Sequence, residues 1–470
     1  MNKSALKTFA VTARRKLEEA IKQKAYTFGI TEKGIHPLQE LRDGLIVNGT
    51  VMGERELKQY NHLKNRILTE GYQHVMDEAA YTWFNRFVAM RYMEVNDFLP
   101  IHMRILSSEN PNKSEPDALT QVTSLVDELE MDLERIYDLQ DANKLNQLYE
   151  YLIIKQSIKL GDILPNVFDP ITDDLALLIP NNLLNETSIV RDIVAMVDED
   201  DWKEVEIVGW LYQFYISEQK DAVFANLKKN KKIGKQEIGP ATQLFTPRWI
   251  VEYMVDNSLG RLWLESHPDE KLKESLEYYL EDAEQTNEVK KQIEALADPN
   301  LNVEDIKFLD PSCGSGHILV YAFEVYYKLY LSRGYRERDI PKLIIENNLY
   351  GLDIDKRAAQ LATFSVVMKA REYDRRLFSR EYSVHIHSIE ESNTITEEQM
   401  QLFSKDNDQV KEAIHSLYAT FYDGKLYGSI IKVPEINISL IEEQLNYFRS
   451  NSEIDIFTTC LLYTSPSPRD

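Results

Sequence analysis

The chain has 470 residues, 43% of them hydrophobic, and a formal charge of -23. That length is too great for one ordinary domain and predicts two or three, each able to bury a sizeable core. The charge excludes broad, non-specific binding to nucleic acid, which needs clustered cations, so any DNA contact has to be local; two cysteines, Cys313 and Cys460, exclude a disulfide framework.

From the N-terminus to about residue 230 the apolar positions recur at helical spacing. Leu6, Phe9, Ala13, Leu17, Ala20 and Ile21 fall on one stripe, and Val75, Met76, Ala79, Ala80, Trp83, Phe84, Phe87 and Val88 on another. Turn signals at Gly29, His36-Pro37, Asn48-Gly49, Pro100, Asn110-Pro111-Asn112 and Asp169-Pro170 divide the run into pieces. The expectation is an all-helical domain over residues 1–235. Trp83, Phe84, Tyr92, Trp210, Tyr212, Phe214 and Tyr215, at helical spacing among aliphatic residues, are read as core rather than as base-stacking groups.

Met1 to Ile21 reads as an amphipathic helix, not as an apolar segment behind a basic cap, which with the cysteine usage favours a reducing cytoplasm. The most apolar window, Ile207 to Ile216, is about half a membrane span and contains Gln213, so a buried helix is expected there and no membrane role. Lys228, Lys229, Lys231, Lys232 and Lys235 put five lysines in eight residues. They are either a solvated surface loop or the one local cationic patch suited to DNA.

A charged segment from His267 to Pro299 predicts one or two exposed helices. Beyond residue 300 the period changes. Ile306–Asp310, Leu349–Asp353 and Ser383–Ile389 read as strands, His317–Leu331 and Lys356–Tyr373 as the helices between them. Strands alternating with helices predict a parallel, doubly wound α/β sheet within residues 236–460. Gly424, Gly428 and Pro434 mark an irregular region before a last helical stretch, Glu435–Ser450. Residues 461–470, LLYTSPSPRD, have no periodicity and are read as a non-native tail that resembles translated adapter sequence.

Two stretches carry the chemistry: Phe308-Leu-Asp-Pro-Ser-Cys-Gly-Ser-Gly-His317 and Leu349-Tyr-Gly-Leu-Asp-Ile-Asp355. A strand that ends in a carboxylate and breaks into a glycine-rich turn before a helix delivers backbone to a ligand at the carboxyl end of a parallel sheet. A pyrophosphate would be repelled by Asp310, whereas an ammonium is attracted, which favours S-adenosylmethionine over a dinucleotide. Gly314 and Gly316 let the backbone approach the methionine end, and Asp353 is placed to accept hydrogen bonds from the ribose hydroxyls. Cys313 and His317 are read as packing residues rather than as nucleophile and base, and Asp355 as the cap of the next helix. No metal site is expected.

These residues, with NKSALKTFAVTARRKLEEAI, AYTWFNRFVAMRYMEVNDFLP, EIVGWLYQFYISEQKDAVF and ATQLFTPRWIVEYMVDNSLG, make the chain resemble the amino-group DNA methyltransferases. The resemblance is strongest to the adenine-specific methyltransferases of BREX phage-defence systems and runs to about residue 450. It implies an incomplete Rossmann-like class I methyltransferase sheet, double-stranded DNA as substrate, and other proteins of the same defence system as partners. It also implies that Thr246 and Pro247 close over the methionine end, that Asp310 and Pro311 meet the amino-acid moiety, that Gly314 and Gly316 lie under the ligand, that Asp353 binds the ribose, and that Ile354 packs on the adenine ring.

One departure is plain. Such enzymes carry an Asn/Asp/Ser-Pro-Pro-aromatic tetrapeptide after the fourth strand, and no Pro-Pro dipeptide occurs in this sequence. No catalytic residue is therefore assigned, and the chain is expected to be an N-terminal fragment that lacks the target-recognition domain and is inactive alone. The alternatives are a non-catalytic module that docks DNA or partner proteins, and the methylase part of a restriction enzyme.

Overall fold

The computed structural model describes residues 1–41, 44–47, 50–165, 167–168, 174–234, 237–244, 246–405 and 407–450. Of the positions singled out above, Asn48-Gly49, Asp169-Pro170, Lys235, Phe245, Cys460 and the tail 461–470 lie outside the described residues. The chain divides into two compact units, Met1–Ala222 and a second that starts at Val223.

The first unit is built on helix α1 (Lys3–Thr27). Asn2 starts it by accepting the amide of Ala5 at 3.2 Å, which satisfies one of the donors orphaned at a helix start. Leu6, Phe9, Ala10, Ala13, Leu17, Ile21 and Ala25 form its buried stripe. That stripe lies against α2 (Tyr72–Val95) and α3 (Glu206–Tyr215). The Phe9 and Phe84 rings stack 6.2 Å apart, and Phe84 and Tyr215 lie 4.4 Å apart. Trp83, Phe84, Tyr92, Tyr212 and Tyr215 are buried, as the core reading required. Trp210 and Phe214 are half-buried and stack on each other, with the Lys3 ammonium 3.9 Å above Trp210.

α2 is buried on nearly all sides, so its charges need partners. Glu94 has them: its carboxylate accepts from the amides of Ile105 and Leu106 at 2.8 and 2.7 Å, from the Ser107 hydroxyl at 2.9 Å, and from Arg91 at 2.6 Å.

The expectation of an all-helical first domain is corrected. Among the described residues, five short antiparallel strands lie between α1 and α2: β1 (Ile30–Thr31) pairs with β2 (Gly34–Ile35), and β3 (Gln39–Leu41), β4 (Gly44–Val47) and β5 (Thr50–Val51) form a meander. The physical reason is local: Leu45, Ile46, Val47 and Val51 are β-formers flanking an Asn-Gly turn signal, too short a run to stand out beside two long helices.

The second unit carries a three-stranded parallel sheet in the order β6 (Phe308–Asp310), β7 (Leu349–Asp353), β8 (His385–Ser388). Before it, α4 (Arg248–Val255) runs through a π-helical turn, Asp256–Gly260, and packs on α5 (His317–Ser332). α6 (Lys356–Tyr373) links β7 to β8 and lies beside α5. Leu319, Phe323, Tyr326, Leu329 and Tyr330 of α5 are fully buried, each contributing on the order of 2 kcal/mol of transfer free energy. The charged segment before β6 forms two short helices, Glu270–Glu274 and Asn287–Glu294, the latter with no buried residue.

β6 pairs with β7 only among the described residues, and Leu309 on it is 55% exposed. Among the described residues four α-helices follow β8: α7 (Glu397–Ser404), α8 (Asp408–Phe421), the single turn Gly424–Tyr427, and α9 (Ile438–Ser450). α7, α8 and α9 share a core of Met400, Phe403, Val410, Ala413, Ile414, Ile441, Leu445 and Phe448. No helix among the described residues is long and apolar enough to cross a membrane.

Candidate cofactor site

The loop Pro311–Gly316 leaves β6 and turns into α5 at the carboxyl end of the sheet, the place where open parallel sheets take ligands. Its shape is fixed from β7. The Cys313 amide donates to the Leu352 carbonyl at 2.9 Å, and the Gly314 amide donates to Asp353 Oδ2 at 2.9 Å. Asp353 Oδ1 accepts from the Asp355 amide at 2.8 Å, so both carboxylate oxygens are oriented by backbone and each keeps a further lone pair. Asp355 caps α6 by accepting from the Arg357 amide at 3.0 Å.

Asp310 is 7% exposed. Its Oδ1 accepts from the Ser312 amide at 3.1 Å, while Oδ2 is buried with no hydrogen-bond partner among the described residues. A buried carboxylate oxygen in that position is costly unless a cation or donor reaches it. Burial raises the Asp310 carboxyl above the usual aspartate range, against the pull of the Ser312 amide. Burial likewise raises Asp353, against the amides of Asp355 and Gly314.

The two loop glycines differ. Both are left-handed, with φ of +54° at Gly314 and +87° at Gly316. A Cβ on Gly314 would meet nothing within 4 Å, so the backbone there borders open space. At Gly316 a Cβ would come within 2.9 Å of Ala362 Cα and 3.2 Å of its carbonyl oxygen. Gly316 thus lets the loop seat directly on α6.

Cys313 is buried, and its thiol is pushed well above the usual range by burial and then by the charges of Asp353 and Asp310. It stays a neutral thiol. Burial pushes the His317 imidazole down to about 3, so it is uncharged at any physiological pH.

The remaining predicted residues sit around this centre less directly. Pro311 is exposed beside Asp310, and Ile354 is half-buried at the end of β7. Thr246 is half-buried, and Pro247 is the exposed residue that caps α4. Among the described residues no hydrogen bond joins Thr246 or Pro247 to the loop; α4, which follows them, packs on α5, and beyond it the Tyr321 hydroxyl donates to Asp256 Oδ1 at 2.9 Å. Lys228 ends the helix Ser217–Lys228, and it and Lys229, Lys231 and Lys232 just past it are exposed.

Two features of the site have no counterpart in the sequence reading. Gly351 of β7 has no room for a Cβ, which would lie 2.9 Å from Leu319 Cδ1. The segment after β8 also borders the site: a Cβ on Gly428 would lie 3.4 Å from Ile354 Cγ2. The irregularity around Gly424 and Gly428 was the only signal for it.

Comparison with known proteins accords with this arrangement. Residues 283–406, which contain all three parallel strands, match the model of the MmeI DNA-methyltransferase domain. An adenine-specific methyltransferase BrxX from Escherichia coli O9:H4 (strain HS) is 39% identical over 465 aligned residues, covering 93% of this chain and 38% of the relative. An adenine-specific methyltransferase PglX from Lacticaseibacillus casei (strain Zhang) is 37% identical over 466 residues, covering 92% and 38%. The chain thus spans well under half the length of these curated relatives. Across nearly its whole length, the chain is a homologue of the adenine-specific methyltransferases BrxX and PglX.

Proposed function

We propose that this chain carries the S-adenosylmethionine wall of a site-specific DNA adenine N6-methyltransferase that marks host DNA within a BREX phage-defence system in the cytoplasm. The observation that carries the cofactor reading is Asp310 Oδ2, buried and without a hydrogen-bond partner among the described residues beside a left-handed glycine that borders open space. An ammonium supplies the missing partner. Asp353 offers the free lone pairs of a carboxylate whose angle is locked by two amides, which suits a pair of vicinal hydroxyls. Ile354 offers an apolar surface for the adenine ring, Gly316 holds the loop down on α6, and Pro311, Thr246 and Pro247 stand on the methionine side.

When bound, the cofactor supplies an electrophilic methyl group on a sulfonium. The chain's own residues bind and orient it; a direct displacement of this kind depends on alignment more than on a strong base. The acceptor side is a different matter. With no Pro-Pro dipeptide in the sequence, we assign adenine binding to residues outside these 470. We assign a further strand to the open edge of β6, completing a Rossmann-like sheet. Double-stranded DNA, and other proteins of the defence system, are the partners this reading names.

Isothermal titration tests the cofactor site: the chain binds S-adenosylmethionine, and Asp353→Ala and Asp310→Asn each weaken binding at least about tenfold. Wild-type affinity retained in both variants would remove the assignment. Tritiated methyl transfer tests the acceptor side, with no label expected on DNA from residues 1–470. Incorporation above background would place a catalytic motif within this chain.

A further inference from the structure

The helices inserted after β8 make a feature that the loop and the family match leave unused. The link from α8 toward α9 crosses the carboxyl ends of β7 and β8 as a short, tightly held turn, Asp423–Ile430. Its start is pinned to the chain leaving β8. Asn393 Nδ2 donates to Asp423 Oδ1 at 2.9 Å, and the Asp423 amide donates back to Asn393 Oδ1 at 2.8 Å. The Lys425 amide donates to Glu391 Oε1 at 3.1 Å, and Ser392 holds the end of α8 through the carbonyls of Phe421 and Tyr418.

The turn is left-handed at both Asp423 and Gly428, with φ of +55° and +54°. A non-glycine residue adopts that conformation where its surroundings over-determine it, as the paired Asn393 bonds do here. Two close approaches seat the turn on the sheet: Gly424 on Ile389, where a Cβ would lie 3.3 Å from Cγ2, and Gly428 on Ile354, where it would lie 3.4 Å from Cγ2.

What this rigid turn presents is apolar. Leu426 is 55% exposed, Tyr427 53% and Ile430 74%. Large apolar side chains on a fixed turn beside a ligand-binding sheet end are unusual for a solvated connection. Ile354 and Ile389, which follow the ends of two adjacent parallel strands, are the residues on which this turn is seated.

We propose that the Asp423–Ile430 turn is the second wall of the nucleoside pocket and that Tyr427 stacks on the adenine ring of S-adenosylmethionine, opposite Ile354. This rests on the cofactor reading above. Tyr427 immediately precedes the residue that touches Ile354, and an aromatic face suits a purine better than any aliphatic neighbour does.

The test uses the whole chain and isothermal titration with two probes, S-adenosylmethionine and 5′-methylthioadenosine, which lacks the amino-acid end. Tyr427→Ala weakens both by the same factor, about tenfold or more, and Tyr427→Phe stays within about twofold of wild type. Asp310→Asn weakens S-adenosylmethionine and leaves 5′-methylthioadenosine unchanged. Circular dichroism of each variant confirms the fold. Wild-type affinity for both probes in Tyr427→Ala overturns the second wall while leaving the cofactor site standing. A loss confined to S-adenosylmethionine overturns it as well. A wild-type chain that binds neither probe removes both readings.

Discussion

Replacing Gly316 by alanine should damage the sheet, while the same change two residues earlier should not. At Gly316 φ is +87°, and the added Cβ lies 2.9 Å from Ala362 Cα, 3.1 Å from its Cβ and 3.2 Å from its carbonyl oxygen. Holding an L residue in a left-handed conformation costs about 1–2 kcal/mol. Forcing a methyl group against packed backbone adds about 1–3 kcal/mol. Ala362 is fully buried in the middle of α6 and has nowhere to retreat. The sum is a loss of roughly 2–5 kcal/mol in the second unit. At Gly314 the conformational part alone applies, since nothing lies within 4 Å, so Gly314→Ala costs about 1–2 kcal/mol and acts on cofactor affinity instead. Urea titration read by hydrogen exchange on peptides from β7 and α6 separates this unit from the helical one. Equal protection in the two variants, or a larger loss at Gly314, would refute the claim that Gly316 is there for the seat on α6.

Three further outcomes follow from the same geometry. Burial raises the Asp310 carboxyl, so its share of stability is present below the ordinary aspartate range near about 3.9 and is lost as pH rises through the raised value. Asp310→Asn therefore makes the cofactor-free chain more stable at neutral pH than wild type and abolishes that part of the slope, which thermal melts across pH 4–8 would show as a wild-type stability that falls with rising pH relative to the variant's. In the first unit, Glu94→Ala leaves Arg91 and the amides of Ile105 and Leu106 without their shared acceptor, and unfolding titrations should show a loss of about 3–5 kcal/mol. Alanine at Lys228, Lys229, Lys231 and Lys232 should weaken duplex binding and flatten its dependence on log salt by about 0.9 for each phosphate that is no longer neutralised; an unchanged slope would return these lysines to plain surface.

The parts of the fold that were legible in the sequence are those with a sustained period. α1 and α2 announce themselves by their stripes, and the three parallel strands appear where the pattern predicts, because short apolar runs bounded by turn residues and alternating with helices have few other interpretations. β1 to β5 escaped because strands of two to four residues leave almost no alternation to count. At the site, what was legible is placement: the pattern puts Asp310 and Asp353 at the carboxyl ends of two strands, and they stand at the ends of β6 and β7. Gly316 was assigned to the ligand, and its close approach to Ala362 of α6 was not foreseen. That approach is set by how two elements pack, and no local spacing encodes it. The Asp423–Ile430 turn showed in the sequence only as irregularity at Gly424 and Gly428, and where it docks was hidden for the same reason, since its partners Ile354 and Ile389 follow two different strands.

The separate core shared by α7, α8 and α9 bears on how a ligand would come and go. Met400, Phe403, Val410, Ile414, Leu445 and Phe448 pack among themselves, so these helices can loosen as a cooperative unit while β6, β7 and α5 keep their protection. Opening then costs the free energy of one small helical cluster instead of that of the whole unit. On the cofactor reading proposed above, exchange of the nucleoside would then be a gating equilibrium set by these few methyl and phenyl groups.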